Sequence, residues 1–324
     1  RNHSSAASDV YKRQPSMFKK LLFALAFFSI TFFTVNAQQV DRCSTMDVLE
    51  RQLQDDPGLA QEMQRIENEI QEIIANGDHR GGGVITIPIV VHVIHNGEPI
   101  GTAPNISDAQ VQSQIDVLNE DFRRMNADAS NTPSQFLSVA ADTEIEFCLA
   151  ANDPNGNPTT GINRVNAGQA SWSSTNQIDN TLKPSTIWNR DHYLNFWSVD
   201  FGGNGLLGYA QFPGGGANTD GVVVGYQYVG RYPDNPNINS YNLGRTATHE
   251  VGHWLNLRHI WGDGGCGQDD GVNDTPDSDG ANYGCAAGNI SCGTEDMPQN
   301  YMDYSDDDCI CLLYTSDAAD EWLR

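Results

Sequence analysis

The sequence predicts an α/β protein in two unequal halves: a mixed, twisted sheet with helices up to about residue 259, then an irregular, cysteine-framed half. Three observations carry this expectation. Apolar β-branched runs and a helical repeat follow one another in the order strand, helix, strands, helix, which builds a sheet covered by helices. Past residue 262 that periodicity stops, and glycine, asparagine and aspartate fill a stretch punctuated by Cys266, Cys285, Cys292 and Cys309. Between the two lies T-H-E-V-G-H-W-L-N-L-R-H-I-W, residues 248–261, with three histidines at fixed spacing.

With 324 residues the chain can bury a proper core, and its formal charge of −24 argues against nucleic acid as a partner, because phosphates would be repelled. Residues 17–37 read as a secretory signal: Lys19-Lys20 gives a basic start, residues 21–33 an apolar run, and Val35-Asn36-Ala37 a small-residue cleavage site. The run is too short to span a bilayer comfortably and no basic stop-transfer cluster follows. An exported protein without a stable membrane anchor is therefore expected. Residues 4–14 and 311–321 read as one sequencing adapter translated in its two orientations. Residues 1–16 and 311–324 are accordingly expected to be non-native flanks, with the natural C-terminus lost. Setting Cys311 aside leaves six of the seven cysteines, which suits an oxidising compartment.

Residues 38–80 are expected to be the pro-segment of a latent zymogen; within them 41–75 is polar with a helical rhythm, and Leu59, Met63, Ile66, Ile70 and Ile74 stand at helical spacing after Asp56-Pro57. The break His79-Arg80-Gly81-Gly82-Gly83 reads as a linker and processing point. A domain over 81–310 follows, divided into 81–259 and 260–310. Residues 84–95 are apolar and β-branched enough for a central strand, with Pro88 near its start, and His92 and His95 read as strand residues rather than ligands. Residues 107–125 open on the capping residue Ser107 and carry Val111, Ile115, Leu118 and Phe122 at helical spacing. Residues 143–150 make a second strand, in which Cys148 is expected as a buried thiol. Residues 151–185 read as irregular, and 193–199 and 221–228 as strands separated by a glycine-rich stretch, 201–216.

His249 and His253, four apart, share one face of a helix, and two neutral imidazoles so placed reach one divalent ion. Glu250 falls beside them, where it can touch water on that ion. If the helix stops near Asn256 and the chain turns back, His259 supplies a third nitrogen and leaves one tetrahedral position open, as a catalytic zinc requires. A chance His-Glu-x-x-His arises in roughly 1% of chains of this kind, and the third histidine lowers that by about 40-fold. Asn256 suits the turn, since asparagine tolerates the left-handed conformation better than other non-glycine residues.

These residues resemble the metzincin motif H-E-x-x-H-x-x-G-x-x-H, with Asn256 in place of the glycine. Asn300-Tyr301-Met302-Asp303-Tyr304 resembles the metzincin turn that sets a methionine, here Met302, beneath the metal. The resemblance is closest to the pappalysin-like zinc endopeptidases and covers about 81–310. It implies a metzincin-like catalytic domain with zinc on His249, His253 and His259, Glu250 as general base, and Tyr304 as a residue that contacts zinc or the oxyanion. It also implies protein or peptide substrates. Leu206-Leu207-Gly208-Tyr209-Ala210-Gln211 resembles the edge strand on which metzincins lay their substrate, and Cys43 resembles the pro-peptide cysteine whose thiolate caps zinc.

The stretch 263–280 holds six aspartates among glycines, and close carboxylates repel unless a cation compensates them. Residues 269–276 resemble a pappalysin calcium loop, which implies ligands at Asp270, Thr275 and the Val272 carbonyl. The four cysteines of this half allow three pairings. The resemblance implies Cys266–Cys292 and Cys285–Cys309, each stabilising a loop-rich region by roughly 3 kcal/mol. A zinc ribbon is rejected because its paired C-x-x-C spacing is missing. Three other readings stay open: a zinc protease with a downstream Glu as third ligand, a secreted calcium-dependent binding module with a vestigial zinc site, and a purely structural exported protein. Substrate preference and oligomeric state are not legible.

Overall fold

The structure, a computed structural model, describes residues 42–76, 83–237 and 239–313. The expected signal at 17–37, the flank at 1–16, the linker up to Gly82 and the side chain of Ile74 lie outside the described residues.

The described chain opens with two helices, α1 (Thr45–Asp55) and α2 (Leu59–Asn76). They break at Asp56-Pro57, where the Asp56 side chain accepts from the Gly58 amide at 2.8 Å. Strand β1 (Ile85–His95) is the centre of the sheet. Helix α3 (Asp108–Phe122) starts where Ser107 Oγ accepts from the Gln110 amide at 3.1 Å. Then come β2 (Ile145–Leu149), β3 (Ile162–Asn166), β4 (Leu194–Val199), β5 (Gly208–Ala210) and β6 (Val222–Gly225). The sheet runs β2-β1-β4-β6-β5, with β3 also on β1, and every pairing is parallel except β5 on β6.

β2 and β3 share one side of β1 end to end: Ile85–Ile89 pair with β2 and Val91–His95 with β3. The junction is tight. Ala150 donates to Ile89 O and Val91 to Gly161 O, both at 2.8 Å. Any Cβ on Gly161, whose φ is +72°, would stand 2.6 Å from the Ala150 nitrogen.

Period-two alternation sorts the strands onto two apolar layers. Ile89, Val91, Leu194, Phe196, Val222 and Val224 point to the layer shared with α3 and the helix at 245–254. Ile94, Trp197, Val199, Tyr209 and Val223 point to the opposite layer, closed by Ile178 and Leu182.

Two elements appear inside the stretch expected to be irregular. Strand β3 is short and asparagine-rich, and is held by the unclaimed second half of β1. Residues 175–186 are helical, capped by Ser174 Oγ from the Gln177 amide at 3.3 Å. The strand expected at 221–228 ends at Gly225 and closes in a single helical turn, Tyr226–Tyr228. Cys148 is corrected: it is exposed, because β2 is an edge strand whose other face, Ile145 and Phe147, meets the core.

Helix α4 (Arg245–Trp254) is buried throughout. After it the described chain holds only a two-residue hairpin, β7 (Ile290–Ser291) with β8 (Thr294–Glu295), and two disulfides, Cys266–Cys292 and Cys285–Cys309. Arg245 fastens this region to the helix: it pairs with Asp128 at 2.6 Å and donates to the carbonyls of Asp307 and Ile310. Of the expected C-terminal flank, residues 311–313 are described. Cys311, Leu312 and Leu313 are buried and bonded through their backbones to Gln299, Tyr301 and Ala141, so the packed body runs at least three residues past Ile310. Among the described residues no helix is long and apolar enough to cross a membrane.

Candidate active site

Helix α4 ends at Trp254, and Asn256 takes the left-handed conformation foreseen for the turn, with φ +86°. The reversal lets Leu257 donate back to Gly252 O at 2.9 Å and brings His259 under the helix. His253 Nε2 then lies 3.1 Å from His249 Nε2 and 3.1 Å from His259 Nε2.

Each imidazole is fixed by its other nitrogen. His249 Nδ1 faces Tyr301 O at 2.7 Å, His253 Nδ1 faces Leu257 O at 2.7 Å, and His259 Nδ1 faces the Asp263 carboxylate at 2.6 Å. With acceptors at all three Nδ1 atoms, the protons sit there and the Nε2 lone pairs converge. Burial holds His249 and His253 in the neutral, ligating form: His249 is pushed down to about 3, with His259 adding to the effect, and His253 well below its usual range. Three nitrogens on one tetrahedral zinc stand ~3.3 Å apart, so the spacing fits such an ion. The triad can hold a metal.

Cys43 completes the group. Its Sγ and the three ring nitrogens all lie within 4.8 Å of one another, and all four residues are buried. Arg42 to Ser44 lie on the edge strand in parallel: Leu207 and Gly208 donate to Arg42 O, Ser44 donates to Gly208 O, and Cys43 bridges Gly208. The stretch singled out at 206–211 is therefore an edge, with β5 at its centre, and the N-terminal segment lies along it. Arg42 is wedged between Tyr241 and Tyr283, 4.6 and 4.8 Å from their ring centres, and reaches Asp306 at 3.7 Å and the Tyr304 carbonyl.

Glu250 is buried below β5. Gly208 has to be glycine here, since a Cβ would meet Glu250 Oε1 at 2.8 Å and Val223 O at 3.0 Å. Thr45 Oγ1, itself accepting from the Ala210 amide at 2.9 Å, stands 3.1 Å from Glu250 Oε2. Met302 is buried beneath the helix, so close that a Cβ on Gly252 would fall 2.4 Å from its sulfur. The Tyr304 ring packs against His249 and His259, and its hydroxyl donates to Cys43 O at 3.3 Å. Thr45 and Asp263 escaped the reading of the sequence. Asp263 had a findable signal, an acid four residues past a candidate ligand.

Further down, Thr275 Oγ1 stands 2.8 and 3.0 Å from the Asp270 carboxylate oxygens and 3.0 Å from Val272 O. Burial raises Asp270 to about 7. His92 is a core residue, stacked on Trp197 and bonded to Asn195 and Asn163 at 2.9 Å, and His95 lies at the strand end, so neither joins the triad.

Residues 176–322 match the peptidase family described as pregnancy-associated plasma protein-A. An extracellular metalloprotease of Pyricularia oryzae is 32% identical over 301 residues, spanning 91% of this chain and 92% of that protein. The chain belongs to the pappalysin family of metalloproteases. A second relative, an extracellular metalloprotease of Verticillium alfalfae, is 31% identical over 247 residues, 73% of this chain and 74% of that one. Among solved structures, a Tannerella forsythia promirolysin mutant is 42% identical, with a TM-score of 0.75 over 87% of this chain and 92% of its own. Mature mirolysin of the same organism, in complex with a cleaved peptide, is 47% identical, with a TM-score of 0.69 over 74% and 91%. The pappalysin fold and metalloprotease class expected from the sequence are thus both found, and the protein is a secreted metalloprotease.

Proposed function

We propose that the protein is a zinc endopeptidase made as a latent zymogen, with residues 38–80 as its pro-segment after removal of the signal at 17–37. The observation that carries this reading is the convergence of the three Nε2 atoms with every Nδ1 already bonded. His249, His253 and His259 would hold the zinc, which when bound acts as a Lewis acid toward the scissile carbonyl and lowers the pKa of a water toward 7. Glu250 accepts a proton from the attacking water and passes it to the leaving amine nitrogen. Tyr304 donates a hydrogen bond to the peptide oxygen as charge grows on it, a role supported by its contact with the Cys43 carbonyl in the same cleft. Met302 supports the floor beneath the histidines.

Cys43 would cap the metal until the pro-segment leaves, while Thr45 engages the base; thiolate is a strong fourth zinc ligand. The promirolysin likeness supports the zymogen reading, because it covers 87% of this chain against 74% for mature mirolysin. Peptide substrates are supported by the cleaved peptide bound to mature mirolysin. We assign calcium to Asp270, Val272 O and Thr275, where a buried carboxylate and two further oxygens converge and a cation would offset the burial that raises Asp270.

The test is Glu250→Ala in the full chain after activation. It should keep one metal ion per chain and lose peptide cleavage by at least about 10³-fold, the scale on which removing a central catalytic group acts. Wild-type turnover in that variant would remove the base from Glu250, and a wild-type protein that takes up no metal would end the reading.

A further inference from the structure

A second buried carboxylate lies on the face of the edge strand opposite Glu250. Tyr209, at the middle of β5, points up into the layer under residues 175–186, and its hydroxyl donates to Asp179 Oδ1 at 2.9 Å. Lys183, with no exposed surface, pairs with the same oxygen at 2.9 Å and donates to Thr219 O at 3.0 Å. Asp179 lies in a π-helical turn, Ile178–Leu182, a geometry that often marks functional positions. Its Oδ2 is held by Arg51 of α1, whose guanidinium also donates to Thr175 Oγ1 at 3.1 Å. Tyr209 and Lys183, on Oδ1, belong to the sheet domain, whereas Arg51, on Oδ2, belongs to the N-terminal segment.

The direction of α1 fixes which side of the cleft this is. The segment bridges Gly208 through Cys43, meets Ala210 through Thr45 and reaches the Gln211 side chain through Gln52, so it advances along β5 in the sense 208 to 211. A peptide paired antiparallel to β5 would pass 211 before 208 and the metal centre. The wall above Tyr209 therefore faces residues that precede the scissile bond.

We propose that Asp179 is the floor of a subsite that takes a basic side chain, arginine or lysine, a few residues N-terminal to the scissile bond, and that Arg51 fills it in the zymogen. The proposal rests on the reading of residues 38–80 as a removable pro-segment. Once Arg51 leaves, a mostly buried carboxylate oxygen loses its donor. An apolar side chain there displaces water and gives no hydrogen bond back, and a neutral polar one gives only an uncharged bond, while a guanidinium restores a charge-assisted one. Sites built to bond a polar group discriminate against its absence far better than apolar pockets do. The chain's net charge of −24 adds a long-range preference for cationic segments. Lys183 does not already serve this purpose, because it binds the other oxygen from inside the domain.

The experiment uses the full chain, zinc-loaded and activated by limited proteolysis, on peptides of one sequence carrying arginine, citrulline or alanine in turn at each position before the scissile bond. Citrulline keeps the shape of arginine and removes its charge. At one position arginine should exceed citrulline about tenfold in kcat/KM, mainly through KM, and Asp179→Asn should bring that ratio to near one. If Asp179→Asn does not fold, the wild-type ratio decides by itself. Cleavage of all the peptides with no position separating arginine from citrulline overturns the subsite while leaving the protease reading in place. A ratio unchanged in folded Asp179→Asn overturns the assignment to Asp179. Absence of any cleavage brings down the protease reading and the subsite together.

Discussion

From β1 to β6 the chain drops alternate side chains into two apolar layers, whereas beyond Trp254 the described residues hold one short hairpin, two disulfides and a mesh of side chains bonded to backbone. The candidate metal centre hangs between them, with two histidines on the last turns of α4 and the third just beyond it. The comparison teaches that one site can be held by two kinds of cohesion. Above, burial sets geometry and tolerates redox change. Below, the turn that carries Met302 depends on covalent closure, on Asp303 accepting from Asn282 and Tyr304 amides at 2.8 and 2.7 Å, and on the Arg245 clamp.

The contrast is broken most directly in the sheet. Phe196→Ala removes a fully buried ring from β4 and should cost about 4 kcal/mol, unfolding both regions together in denaturant titration. Replacing Cys266 and Cys292 by serine opens a 26-residue separation and should cost about 3.5 kcal/mol by the chain-entropy relation. Here amide exchange should rise across 257–313 while β1, β4 and β6 stay protected; uniform loss of protection would show that the two regions unfold as one.

Acid offers a subtler probe. Burial depresses His92 from 6.5 to about 4, so the fold favours its neutral form. Its contribution is complete above pH 6.5 and is lost as pH falls toward 4, amounting to about 3 kcal/mol over that window. His92→Gln should flatten the stability slope between those pH values by up to one proton relative to wild type. At the small end, Cys148→Ser should change stability by no more than about 0.5 kcal/mol, and iodoacetamide should label Cys148 in the native protein while buried Cys311 reacts only on unfolding.

What could be read from the sequence was local. The spacing of His249, His253 and His259 is a matter of helical pitch and one left-handed residue, and Asn256 declared the turn by its type. Strand β1 announced itself through eleven mostly β-branched residues. The elements that escaped depend on partners distant in sequence: β3 needs the second half of β1, and residues 175–186 need the apolar layer above Trp197 and Val223. Cys148 was misjudged because a strand's own residues do not say whether it lies at the centre or the edge of a sheet. Thr45 and Asp179 gain their significance only when two N-terminal helices, some 130 to 200 residues earlier, fold back over the cleft.

The end-to-end seating of β2 and β3 on β1 has a practical corollary. Residues 150 and 161 are stitched to Ile89 and Val91, two apart on one strand, so the ten residues between them depart and return through the same gateway. Lengthening that excursion costs only the slowly growing entropy of a bigger loop, since its anchors are already pinned. An affinity tag, a fluorophore or even a pair of new chain ends could be grafted between Asn152 and Pro158 without the sheet registering the change.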